Sequence, residues 1–247
     1  MISASSHRKG FTLLETVIAI GVLAVLLTAF LGVFGPATAG IRRAISAQEA
    51  DRLASTLERE LTTLRTGQTS ATVITGFDKA YEWIEASMKT RPEVMFAYQY
   101  RGVPGSVRSP DDGTLKPYTA AGGVAGKDYT VVSMLRRRIG PTGSADPSFA
   151  EDLAALEGRV FAIKTTQLVS TNGQLTINTG QTITPPSGST LLTGTGASGK
   201  YPEAVIAFSA EFYGVPSNSS AYLKVGGAFD SSKLKSPIFT RNLGVRR

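Results

Sequence analysis

The sequence predicts an α+β fold: one long N-terminal helix packed on a mainly antiparallel sheet. Three observations predict it. Val17 to Phe34 is an apolar run with Thr28 as its only polar side chain. Apolar residues then recur at helical spacing from Ile41 to Leu64. From Val94 onward, short apolar segments alternate with stretches rich in Gly, Pro, Asn and Asp, the pattern of strands joined by turns.

The first element is the long helix. At about 1.5 Å rise per residue, Phe11 to Phe34 makes a helix of roughly 36 Å, enough to span a bilayer core of about 30 Å. Glu15 is the odd member of this segment. A carboxylate inside a span costs about 2.5–3.5 kcal/mol on insertion scales, so it marks a function and needs a partner. Gly32, Gly35 and Pro36 are expected to loosen or kink the helix, because proline removes a backbone donor and clashes with the preceding turn. Ile41, Ala44, Ile45, Leu53, Leu57, Leu61 and Leu64 then form a stripe, with Arg42, Arg43, Asp51, Glu58, Arg59 and Arg65 largely off it. From Ile41 onward this stripe is expected to pack on the chain's own globular part, and Gly67 to end the helix.

A second helix is expected over residues 77–89. Phe77, Ala80, Tyr81, Ile84 and Met88 share one face, Trp83 lies on another, and Pro92 follows its end. Val94 to Tyr100 reads as a strand, residues 101–127 as a long excursion, and Tyr129 to Ile139 as the next strand. Val160 to Ser170 should pair with Leu175 to Thr179 across Thr171-Asn172-Gly173, since Asn-Gly supplies the positive φ angles of a tight hairpin. Residues 184–200 read as a loop. Glu203 to Tyr213 is apolar on both faces and is expected near the sheet centre. Tyr222 to Val225 and Ile238 to Leu243 complete the sheet.

The start of the chain carries a recognisable pattern. Arg8-Lys9-Gly10 is followed by Phe11-Thr12-Leu13-Leu14-Glu15 and then by the apolar helix. This resembles the type IV prepilin leader shared by pilins and type II secretion pseudopilins. The resemblance covers roughly residues 1–65 and implies a pilin-like fold. It implies cleavage by a membrane aspartyl peptidase between Gly10 and Phe11, methylation of the new amine on Phe11, and an assembly role for Glu15. A glycine at the cut site offers backbone access, and a neighbouring subunit's terminal ammonium is a suitable partner for a carboxylate held at that depth. Residues 48–61 are similar to the helices of J-type minor pseudopilins. Phe239-Thr240-Arg241-Asn242-Leu243 is similar to the Verru_Chthon cassette group of pilin-like proteins.

Composition narrows the function. The chain has 247 residues, no cysteine, a single histidine and a formal net charge of +7. His7 lies in the leader and would leave with it, so the mature chain would lack both His and Cys, the commonest general base and the main zinc ligands. The basic clusters Arg42-Arg43, Arg136-Arg137-Arg138 and Arg246-Arg247 are short and not interleaved with aromatics, so nucleic-acid binding is not indicated. Gly194-Thr195-Gly196-Ala197-Ser198-Gly199-Lys200 has P-loop spacing, but Tyr201 and Pro202 follow where a Ser or Thr and a helix are needed. Asp111-Asp112-Gly113 lacks the further oxygen ligands of a calcium loop and reads as a type I turn. The acidic cluster that holds calcium in major pseudopilins has no counterpart here; Asp230 stands alone.

Two other readings of the N-terminus compete. Ala37-Thr38-Ala39, just after Pro36, has the form of a signal-peptidase site whose cut would expose Gly40. The apolar run is longer than the roughly 7–15 residues of a signal core, and Glu15 interrupts it. A plain membrane anchor leaves Glu15 and the Gly10–Phe11 junction unexplained.

The expectation is therefore a minor pilin or pseudopilin, not an enzyme, with no cofactor. Its parts would be a leader over residues 1–10, a membrane and assembly helix over 11–35, an amphipathic continuation over 36–66 and an exported α+β domain over 67–247. Its partners would be the prepilin peptidase, other pilin or pseudopilin subunits, and inner-membrane lipid. It would cross the inner membrane once, with its C-terminal domain in the periplasm or on a surface filament. Arg8 and Lys9 before the span favour a cytoplasmic N-terminus. The alternatives are a membrane-anchored, non-polymerising binding domain, and an exported enzyme with a pocket gathering Glu151, Asp152 or Glu211 around a basic group.

Overall fold

The structure is a computed structural model that describes residues 12–90, 93–138, 147–171, 173–186, 188–215, 234 and 236–247. The chain divides into two compact units, Met1–Ile45 and Ser46–Arg247.

Helix α1 (Leu13–Thr62) begins in the first unit. Thr12 caps its start. The Thr12 hydroxyl accepts from the Glu15 amide at 3.2 Å, and the Thr12 carbonyl accepts from the Thr16 amide at 3.2 Å. Leu13–Thr38 is long and apolar enough to cross a membrane, and none of it is buried. A helix apolar on every side suits an apolar surrounding rather than water. Pro36 does not end the helix, which runs on to Thr62. Proline inside a helix costs about 3 kcal/mol or more. The Thr38 hydroxyl bonds the Phe34 and Gly35 carbonyls at 3.0 and 2.9 Å just beyond it.

The packed stripe starts later than the periodicity predicts. Ile41 and Ile45 are 59% and 56% exposed, and Ala44 is exposed too. Burial begins at Ala50 and continues through Leu53, Ala54, Leu57 and Leu61. Periodicity marks an apolar face but not what covers it. Each fully buried leucine contributes about 1.5–3 kcal/mol. The helix also stops at Thr62, before the expected Gly67.

Helix α2 (Gly76–Met88) matches its expected place. Thr75 and Asp78 form a reciprocal cap: the Asp78 amide donates to the Thr75 hydroxyl at 3.2 Å, and the Asp78 carboxylate accepts from the Thr75 amide at 2.8 Å. The strands among the described residues are β1 (Val94–Val107), β2 (Leu115–Pro117), β3 (Thr130–Arg138), β4 (Leu156–Thr171), β5 (Gln174–Ile177), β6 (Val205–Gly214) and β7 (Phe239–Arg246). They form one antiparallel sheet in which β2, β1, β4, β6 and β7 are successive neighbours; β3 also pairs with β1 and β5 with β4. Short helices α3 (Pro147–Asp152) and α4 (Gly196–Lys200) complete the second unit.

The sheet is buried on both faces. One face carries Met95, Ala97, Phe161, Ile163, Phe208, Phe212 and Leu243 and receives α1 and α2. The other carries Val94, Phe96, Tyr98, Tyr100 and Ala162 and receives Phe149 of α3. Phe149 stacks on Phe96 with ring centroids 5.1 Å apart. Alternate residues of β1 thus serve opposite cores, the consequence of its two-residue period.

Several expectations change. Part of the 101–127 excursion is strand, because β1 extends to Val107 and pairs with β2 (Leu115–Pro117). Gly102 permits this: a Cβ there would lie 2.9 Å from the Leu115 Cβ. β6 is an interior strand, but β4 holds the middle of the sheet. The β4–β5 hairpin forms as expected, with Thr171 opposite Gln174 and Gly173 at φ +78°. The proposed strand Tyr222 to Val225 lies outside the described residues.

Candidate functional site

Of the residues singled out at the N-terminus, Gly10 and Phe11 lie outside the described residues. Glu15 is described. It is exposed in the first turn of α1, at the third helical position, within the apolar segment Leu13–Thr38. Among the described residues its carboxylate has no partner. The positive end of the helix favours a carboxylate by about 0.3–1 kcal/mol. That is less than the cost of about 2.5–3.5 kcal/mol for a carboxylate placed within a membrane span.

Several charged groups of the second unit pair with one another. In the run Arg136-Arg137-Arg138, Arg136 holds Asp112 with two bonds of 2.8 and 2.9 Å. Arg137 bonds Glu93 at 2.5 Å and Glu82 at 2.7 Å. Two of the three arginines are thus engaged inside the fold, which removes them from any nucleic-acid surface. Asp112 is turned toward arginines rather than a metal. Burial raises its pKa, but the bonds from Arg136, Thr114 and Arg108 outweigh this and hold it well below the usual carboxylate range. Gly113 follows with φ +66°, its amide bonded to the Ser109 carbonyl at 2.8 Å; the turn spans five residues rather than the four of type I.

Asp152 and Glu151 do meet a basic group. Asp152 is fully buried and accepts from the Tyr98 hydroxyl and from Arg108, each at 2.5 Å. Glu151 lies 2.8 Å from the same arginine. Burial raises the Asp152 carboxyl against the lowering by Tyr98 and Arg108, and it also drives the Tyr98 hydroxyl well up. Glu211 is elsewhere, accepting from Tyr213 at 2.7 Å. Both Asp152 oxygens are spent on neighbours, so the cluster stitches α3 and the 108–115 turn onto the second core. The P-loop-like stretch is equally committed. It forms the one-turn helix α4, and Ser198 donates to Asp78 at 2.6 Å.

Residues 5–31 match the family described as the prokaryotic N-terminal methylation motif. The N-terminus of the chain carries a type IV prepilin-like motif. No curated protein and no solved structure matches it. Prepilin-like proteins are a family of structural subunits, and the motif with its single apolar helix fits membrane anchoring.

In this prepilin-like chain the end of α1 is held by residues that periodicity did not reveal. Lys79 sits on the Trp83 side of α2 and is 1% exposed. Its ammonium donates to the Glu60 and Thr63 carbonyls, at 2.7 and 2.6 Å, and lies 4.6 Å from the Trp83 ring. It caps the C-terminal end of α1, where a cation is favoured. Burial, with Arg65 nearby, pulls its pKa down to about 7. Trp83 is half-buried against the core. Gly76 completes the joint, because a Cβ there would lie 2.0 Å from the Thr62 carbonyl oxygen. Lys79 lies off the stripe of Phe77, Ala80, Tyr81, Ile84 and Met88, four residues before Trp83, so the apolar period carried no signal for it.

Proposed function

We propose that this chain is a minor pilin or pseudopilin subunit of a type IV pilus-like or type II secretion filament. The observation that carries the reading is the methylation motif over residues 5–31 joined directly to a wholly unburied apolar helix, with a carboxylate one turn in. The prepilin peptidase cuts between Gly10 and Phe11, and the new amine of Phe11 is methylated. Residues 1–10 are the leader, 11–35 the membrane and assembly helix, 36–66 its continuation and 67–247 the exported domain. The helix waits in the inner membrane with the domain in the periplasm, then enters a filament among other subunits. There Glu15 pairs with a neighbour's terminal ammonium, which supplies the cation that the helix end alone does not replace. Methylation keeps that charge.

The test is Glu15→Ala and Glu15→Gln in cells carrying the cognate assembly machinery, with sheared filaments collected and probed for the chain. The reading expects both variants to be cut after Gly10, to remain in the membrane and to drop out of the filament fraction. Normal incorporation of both variants overturns the role of Glu15.

A further inference from the structure

Among the described side chains, everything that α1 buries lies late in the helix. Ala50, Leu53, Ala54, Leu57 and Leu61 belong to the core, whereas Leu13–Thr38 buries nothing and Gly40, Ile41, Ala44 and Ile45 are exposed. The compact units also divide between Ile45 and Ser46. A chain break just after Thr38 would therefore part the apolar span from the globular unit without removing one buried side chain from it.

The sequence at that place is Gly35-Pro36-Ala37-Thr38-Ala39-Gly40. It puts small residues one and three positions before the Ala39–Gly40 bond, at the end of an apolar segment, which is the pattern a signal-type peptidase reads. Such an enzyme binds its substrate extended, so the helix must open first. Pro36 is the only proline in α1 and has no amide to close a bond onto the preceding turn. Gly35 and Gly40 are weak helix formers, and nothing lies within 4 Å of where their side chains would be. Ala37 and Thr38 are exposed. Weak helix, small side chains and free access coincide at one turn.

We propose that Ala39–Gly40 is a second processing junction, cut by a membrane-bound peptidase with small pockets for the side chains one and three residues before the bond. Water adds across the amide, leaving the carboxylate on Ala39 and the ammonium on Gly40. The product Gly40–Arg247 keeps the whole helical stripe that closes the core and leaves the membrane as a soluble exported domain. The inference rests on the orientation in the proposed function, which puts residues 37–40 at the exported face.

The experiment uses the full chain in cells with their own membrane peptidases. Soluble exported and membrane fractions are separated, and the intact mass and N-terminal sequence are read from each. The proposal expects a soluble species starting at Gly40. It expects Ala39→Tyr and Ala37→Tyr each to abolish that species while the membrane-bound form is still cut after Gly10. Absence of a Gly40 species from wild type overturns the proposal, as does a Gly40 species that both variants leave unchanged. The membrane fraction is read separately. A membrane form that keeps residues 1–10 counts against the prepilin processing alone, and the Gly40 species decides this junction alone.

Discussion

Replacing Gly76 by Ala tests the joint between α1 and α2. Helix propensity alone predicts a gain, since Ala is favoured over Gly by about 0.8–1 kcal/mol in a helix interior. The packing predicts the opposite. The new Cβ would stand 2.0 Å from the Thr62 oxygen and 2.8 Å from the Thr62 carbonyl carbon, both backbone atoms. The start of α2 must then retreat by about 1 Å or more to reach ordinary contact. That retreat pulls Lys79 from carbonyls it now meets at 2.6 and 2.7 Å. Overpacking of this kind costs about 1–3 kcal/mol, and hydrogen bonds from a charged group contribute about 1.5–3 kcal/mol. The net loss is then about 2–5 kcal/mol after the propensity gain. At about 2–4 °C per kcal/mol for a unit of this size, Tm falls by roughly 4–20 °C. Trp83 is the single tryptophan and lies 4.6 Å from the Lys79 ammonium, so its fluorescence during a thermal melt reports on this joint. A variant as stable as wild type, with unchanged Trp83 emission, would refute the abutment.

Two further outcomes follow from the buried charges. Asp152→Ala leaves the buried Tyr98 hydroxyl without its acceptor and removes one of the three carboxylates on Arg108, which keeps Asp112 and Glu151; an unsatisfied buried group costs about 1–3 kcal/mol. Denaturant midpoints should show this loss, and a cycle with Tyr98→Phe should show non-additive coupling. Lys79 predicts a pH dependence: its pKa is about 7 in the fold against 10.5 for an unperturbed lysine. Between those values the unfolded chain binds more protons, so the contribution of Lys79 to stability is flat below about pH 7 and rises from there toward pH 10. In Lys79→Met that rise should vanish from urea midpoints measured across the range, and a rise that survives would assign it to another group.

The sequence showed the architecture where one period dominated. The apolar run, the α2 face with its Pro92 stop, and the β4–β5 hairpin at Asn172-Gly173 were all legible because each is a local rule. What escaped was non-local. Gly102 and Gly105 read as loop residues, yet Gly102 is needed where β1 passes Leu115. Ile41 and Ile45 carry the same period as Leu57 and Leu61, and only the fold tells the exposed pair from the buried one. Lys79 drew no reading from the sequence, because its partners are carbonyls at the end of another helix. At the candidate site the motif named Glu15 from its neighbours in sequence, and the proposed partner, on another subunit, would leave no trace in one chain.

The most direct measurement of the central claim is the intact mass and N-terminal sequence of the membrane-extracted chain, expressed with its cognate prepilin peptidase. The account predicts a chain that begins at Phe11 and carries one added methyl group. A membrane-bound chain that still holds residues 1–10 and carries no methyl would contradict it.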